Sequence, residues 1–368
     1  MKQALRRIAR SGINYARHSR LANWLRENSS SNPQQAETRE VFAIFTDSRG
    51  ETHQLIKGYR DRIKPDWRKM FDPPAESLTA EELAIAPTAS AKSIDKMLHF
   101  LAINDFSLQK GKVLEIGSHL GHRAFALSLK GEFEVTGLYL PDYYVQQIPG
   151  QNVDHTAQPR EVSRLGRMQE QLRDAFRATT DHPSHLDRVN LVGADITTLS
   201  MPDGYFDLIV SWETLEHIRD TEPAFQNMFR LLKPGGIAFH EYDPFFNIEG
   251  GHSLCTLDFP YSHARLNAED FEAYLRRFRP DEADVALRYY HNNLNRMSFA
   301  DLRRVCDNCG FKIPAIIEWP DTESFIETDA AALRQAQSIY PTVTVNDLMA
   351  RRAWILLQKP ASVQGICK

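Results

Sequence analysis

From Lys112 onward, short apolar runs alternate with amphipathic stretches, the pattern of strands and helices taking turns. The clearest unit is Val113-Leu114-Glu115-Ile116, then a glycine-bracketed turn from Gly117 to Gly121, then a helical run from Ala124 to Lys130. Further strands are predicted at Glu134–Tyr139, Val189–Gly193, Phe206–Ser211, Gly236–Asp243 and Phe311–Trp319. An amphipathic helix is predicted over 161–178, and another opens after Ser298 and stops at Gly310, a polar start and a glycine stop. The order predicts an open α/β sheet, the architecture that binds ligands at the carboxyl ends of its strands.

The first hundred residues have a different texture. Val41–Phe45 and His53–Ile56 flank the turn-rich Thr46–Gly50 and read as a β-hairpin. Leu78–Ala84 and Ser90–Ile103 read as helical segments. Residues 1–31 carry Lys2 and six arginines against one acid, Glu27, with apolar residues at roughly helical spacing. Two readings stand for that stretch: a helix resting weakly on an anionic membrane or a partner, or a solvated or oligomer-packing helix. Ser29–Pro33 reads as a linker. The expected division is a basic helix at 1–31, an accessory hairpin and helices at 32–105, and a main domain at 106–368.

Composition narrows the class. Hydrophobic residues are 42%, charged residues 25% and the net charge −4, which is ordinary for a soluble protein and gives no reason to expect nucleic acid. No apolar run approaches the ~20 residues needed to span a bilayer. The basic N-terminus lacks the apolar core of a signal peptide. The four cysteines are too few for a disulfide framework, so a cytoplasmic location is expected. Cys306 and Cys309 have C-x-x-C spacing, but they fall within a predicted helix and no second pair accompanies them, so no metal is expected.

Chemistry gathers at the first strand. Gly117 lets the chain turn sharply and approach a ligand, and Gly121 allows close helix–sheet packing. Glu115 is a charge inside an apolar strand, which needs a partner or a ligand. The dinucleotide pattern G-x-G-x-x-G fails because His119 stands at the second glycine position. The stretch instead resembles motif I of the class I S-adenosylmethionine-dependent methyltransferases, E-x-G-x-x-x-G. Asp195-Ile196, Phe206–Trp212 with Glu213, Pro202–Asp207 and Leu231–Gly236 resemble the family's later blocks in order, as found in its ubiquinone-biosynthesis-like branch, and Leu231–Gly236 reads as a helix C-terminus running into a turn. The resemblance covers about residues 110–243.

That resemblance implies a Rossmann-like seven-stranded mixed sheet with helices on both faces, Arg352–Gln358 being its antiparallel last strand. It implies S-adenosyl-L-methionine as cofactor, with Glu115, Gly117, Ser118, His119 and Gly121 at its methionine end and Trp212 and Glu213 facing the methyl group. Asp195 would accept from the adenine amino group and Ile196 would pack on the ring, although Asp also suits a helix N-cap. The family's ribose-binding acid is replaced by Tyr139. Either Asp142 reaches back, or Tyr139 binds the ribose differently, or the site is altered. The long connection 140–160 reads equally as a lid over the cofactor or an inert insertion.

An insertion at about 244–297, after the fifth strand, is expected to hold the acceptor. Glu241, Tyr261 and Arg265 are the substrate-side candidates, and His217, His240, His252 and His263 the candidate bases. The expected function is O-methylation of a small-molecule or glycan-like acceptor. The alternatives are a non-catalytic methyltransferase-like scaffold, or a C- or N-methyltransferase of a quinone-like or lipid acceptor. A homodimer is a further expectation.

Overall fold

In the computed structural model, residues 39–72, 75–141 and 158–361 are described. The basic helix at 1–31, the linker after it, Asp142 and most of the 140–160 connection lie outside them. The described residues fall into two compact units, one with residues 39–44 and 54–57 and the other with residues 45–53 and the described residues from 58 onward. The expected hairpin forms, with β1 at Val41–Thr46 and β2 at Thr52–Ile56.

All other elements belong to the second unit. Its sheet contains β3 (Lys110–Ile116), β4 (Glu132–Tyr139), β5 (Val189–Gly193), β6 (Phe206–Trp212), β7 (Leu232–Tyr242), β8 (Lys312–Pro320) and β9 (Ala350–Gln358). The order is β5-β4-β3-β6-β7-β9-β8. The first five are parallel, whereas β9 runs antiparallel to both β7 and β8. This is the Rossmann-like seven-stranded mixed sheet expected. The chain moves outward from β3 in one direction and from β6 in the other, so the topological switch point lies between them.

Strand periodicity divides the core into two layers. Val113, Val135, Leu208, Val210 and Phe239 face one side. There they meet α1 (Ala80–Ile103), α2 (His122–Lys130) and α3 (Gln158–Arg177), through Phe100, Phe125, Leu172 and Phe176. Leu114, Ile116, Leu138, Ile209 and Ile355 face the other side. There they meet α4 (Thr221–Leu231), and α7 at Phe299–Cys309 completes that layer. Between them in sequence, α5 (Ala268–Phe278) and α6 (Ala283–Asn292) are the longer helices of the insertion, after two single turns at His252–Cys255 and Ser262–Arg265.

Three local expectations change. The two helical segments around residues 78–103 are one helix, α1, with Pro87 inside it and a Thr79–Glu82 capping box at its start. Leu231–Gly236 does not run from helix into a plain turn. The helix ends at Leu231 and β7 starts at Leu232, with an irregularity that moves its pairing from Phe206↔Leu232 to Leu208↔Ile237. Between β8 and β9 come three unanticipated helices, Thr322–Glu327, Ala330–Ile339 and Val345–Met349.

Candidate active site

The carboxyl ends of β3, β4, β5 and β6 open into one cavity of about 430 Å³. Gly117 and His119 line it from β3, Tyr139 from β4, Asp195 and Ile196 from β5, and Glu213 and His217 from β6.

The loop after β3 is fixed by its backbone. The Ser118 amide donates to Leu138 O at 2.7 Å, and the Gly121 amide donates to Ser118 O at 2.7 Å. Gly117 has φ +78°, and a Cβ there would stand 2.2 Å from Thr214 Oγ1. Only glycine allows the β3 and β6 loops to come this close. Gly121 (φ +88°) would press a Cβ to 2.9 Å from Leu191 Cδ1, so it sets helix–sheet spacing and does not line the cavity. His119 (φ +48°) and Glu213 (φ +49°) hold left-handed conformations without being glycine, and both line the cavity. Such strain collects at functional sites.

Glu115 is buried behind this loop. Burial raises its carboxyl pKa to about 7, opposed by the nearby Arg123 charge and by a hydrogen bond from the Ala124 amide at the start of α2. Its Oε2 has no hydrogen-bond partner among the described residues. It is absent from the cavity wall, as are Ser118 and Trp212. The Trp212 side chain packs against Phe239 in the sheet core, with ring centroids 5.8 Å apart.

Asp195 caps no helix. Its Oδ1 accepts from the Thr197 amide at 2.7 Å and from Thr197 Oγ1 at 2.8 Å, a local turn that holds the carboxylate at the strand end. Ile196 beside it is buried. Tyr139 lines the cavity at the end of β4, where the ribose acid is missing.

Asn292 and Asn293, at the end of α6, line the opposite wall, so the insertion does contribute to the cavity. His217 Nδ1 lies 2.8 Å from Asn293 O. Asn295 secures this junction, donating through Nδ2 to Leu215 O at 2.5 Å and to Ile218 O at 3.0 Å, while its amide donates to Glu216 O at 2.8 Å. His252 stands beside His217, with ring centroids 4.9 Å apart. Burial lowers the pKa of both histidines, so both are neutral near pH 7. Neither asparagine carried a motif in the sequence. They reach the wall because α6 folds back over the end of the sheet.

Other expected residues do not reach the cavity. His240 is fully buried within β7, hydrogen-bonded to Ser211 Oγ at 2.8 Å, and burial pushes its pKa down to about 3. His263 Nε2 lies 2.8 Å from Phe245 O and 3.1 Å from Asn247 O, so this imidazole pins a loop. Tyr261 is bonded to Thr328 Oγ1 at 2.6 Å. Arg265 donates to Gln335 Oε1 at 2.7 Å and Pro260 O at 3.0 Å. Glu241 accepts from Trp354 Nε1 at 2.8 Å and pairs with Arg352. Each of these side chains bonds inside the fold and none lines the cavity, although His240 Nε2 and His263 Nδ1 have no hydrogen-bond partner among the described residues. Glu216, His217 and His252 lie together, one ligand atom of each within 4.8 Å of the others.

Comparison with known proteins agrees with this architecture. A family described as a methyltransferase domain matches residues 88–315. The chain belongs to that family. It is 49% identical over 43 residues to phosphoethanolamine N-methyltransferase of Triticum aestivum, a match covering 12% of this chain and 8% of that protein. It is 32% identical over 108 residues to the ubiquinone/menaquinone biosynthesis C-methyltransferase of Vibrio campbellii, covering 26% of this chain and 40% of the relative. Among solved structures, it is similar to Haemonchus contortus phosphoethanolamine N-methyltransferase 2 in complex with S-adenosyl-L-methionine, at 14% identity and a TM-score of 0.40, covering 72% of this chain and 52% of that one. The chain thus spans less than half the length of these curated relatives. No helix among the described residues is long and apolar enough to cross a membrane.

Proposed function

We propose that the protein transfers the methyl group of S-adenosyl-L-methionine to an oxygen of a small polar acceptor. The observation that carries this reading is the cavity at the switch point, walled by Gly117, Tyr139, Asp195, Ile196 and Glu213 on one side and by His217 and Asn293 on the other. The residues fit the cofactor. Gly117 leaves backbone exposed where a Cβ would clash, Asp195 offers a carboxylate beside the apolar Ile196, and the buried Glu115 steadies the loop from behind. Bound there, the cofactor supplies an electrophilic methyl group on a sulfonium.

The protein's own work is alignment and proton management. Holding the acceptor in line within a walled cavity supplies the effective concentration on which such a displacement depends. His217 is oriented by Asn293 O, so an Nδ1–H donor leaves Nε2 unprotonated toward the acceptor. That nitrogen suits removal of a hydroxyl proton. The names of the relatives favour a second reading, methylation at nitrogen or carbon.

Calorimetric titration with S-adenosyl-L-methionine tests the cofactor, and one bound equivalent is expected. Incubation with methyl-labelled cofactor and a panel of hydroxylated, aminated and phenolic metabolites, read by mass spectrometry, identifies the methylated atom. Absence of cofactor binding would sink the reading, and exclusive N- or C-methylated product would replace its acceptor half.

A further inference from the structure

We propose that Glu216, His217 and His252 form a binding site for one divalent transition-metal ion, with zinc as the preferred ion, at the acceptor end of the cavity. A ligand oxygen or nitrogen from each residue lies within 4.8 Å of the others. Two ligands about 2.1 Å from a tetrahedral ion stand about 3.4 Å apart, so small side-chain rotations complete the set. His217 also lines the cavity, whereas Glu216 and His252 lie behind its wall, so an open fourth position on the His217 side would meet the acceptor.

Each ligand is prepared separately. His217 uses Nδ1 on the Asn293 carbonyl at 2.8 Å, the outer-shell hydrogen bond that commonly fixes a metal-ligating imidazole and presents Nε2 to the ion. His252 holds a left-handed backbone (φ +51°), and its buried Nε2 has no hydrogen-bond partner among the described residues. Glu216 is fully buried, and neither of its carboxyl oxygens has a hydrogen-bond partner among the described residues. Burial, together with the charges of Asp243 and Glu213, raises its pKa well above the carboxylate range.

The nearby side-chain cations are occupied elsewhere. Arg352 pairs with Glu213, Glu241 and Asp243. Lys64, which faces His252, pairs with Glu249 at 2.8 Å. A divalent ion would offset the buried carboxylate. A donor set of two imidazoles and one carboxylate selects zinc-like ions over magnesium and calcium, which prefer oxygen. The site rests on its own geometry. Its catalytic consequence rests on the methyltransfer reading: with His217 Nε2 on the ion, the metal replaces that imidazole as the activating group, and an acceptor hydroxyl bound at the open position would lose its proton to water more readily. The acceptor oxygen then forms its C–O bond as the C–S bond breaks and the thioether leaves neutral.

The test titrates chelator-treated full-length protein with Co²⁺, read by visible absorption, then displaces it with Zn²⁺ and counts the metal by mass spectrometry. One equivalent is expected, with affinity lowered more than about 100-fold in Glu216→Gln and in His252→Ala. His291→Ala, at an exposed histidine, should bind as the parent does. Affinity for S-adenosyl-L-methionine is measured on the same samples, so loss of the metal site and loss of the cofactor site are read apart. No uptake by the parent protein, uptake unchanged in both variants, or saturation by Mg²⁺ alone would overturn the proposal. If neither variant folds, X-ray absorption of the Co²⁺-loaded parent decides: two imidazoles in the shell support the site, and their absence refutes it.

Discussion

At the scale of single residues, the cofactor side depends on a backbone that only glycine can follow. Gly117→Ala combines a left-handed conformation with a contact of 2.2 Å to Thr214 Oγ1. The conformation alone costs about 1–2 kcal/mol, and the displaced Thr214 alters the wall. Cofactor affinity should fall at least about tenfold by calorimetry, equivalent to about 1.4 kcal/mol. An unchanged affinity would show that the loop is not the cradle. Asp195→Ala should also weaken binding, without lowering the melting temperature of the free protein appreciably, because Asp195 is exposed and, among the described residues, its carboxylate bonds Thr197 two positions on. These residues were legible in the sequence because each sits directly after an apolar run, where the strand end fixes its location. The histidines were not. His217 and His252 meet at the cavity end while His240 and His263 bond internally, and that distinction depends on partners such as Ser211 and Phe245 that no local pattern names.

At the scale of elements, local signals and long-range stitching differ in how far the sequence reveals them. Helix α7 could be read from its ends, since Ser298 and Asp301 form a capping box and Gly310 closes the helix at φ +88°. Ser298→Ala should destabilise the protein by about 1 kcal/mol, read in urea unfolding, because the hydroxyl also bonds Thr342. The seat of α6 had no such signature. It is held by Asn295, whose side chain spans two carbonyls of the turn carrying Glu216 and His217. Asn295→Ala leaves those buried carbonyls without their donor, a cost of about 1–3 kcal/mol. The variant should retain most cofactor affinity and lose methyl transfer, because the loosened turn belongs to the acceptor end. Equal losses of binding and turnover would argue that α6 merely supports the whole cavity.

At the scale of the whole molecule, the sheet follows from a repeated rule. Alternate strand residues supply two apolar faces, and helices cover both. The parallel strands were therefore readable as apolar runs, their arrangement in the sheet followed from the family resemblance, and the helices between β8 and β9 carry no comparable repeat. Within this apolar sandwich, Glu115 makes global stability depend on pH. Its folded pKa is about 7, against the ordinary glutamate value of 4.5, so the folded protein binds the extra proton between those values. Its contribution is fully present below about 4.5 and is lost as pH rises through 7, a change of about 3 kcal/mol in total. Glu216, raised in the same direction, adds to the trend, while carboxylates held low, such as Asp301, oppose it at more acid pH. The difference between the parent and Glu115→Gln isolates the one group. Urea unfolding at intervals from pH 5 to 8 should show the glutamine variant gaining on the parent as pH rises. Parallel stability curves across that range would mean that the Ala124 amide and the Arg123 charge already keep Glu115 ionised in the fold.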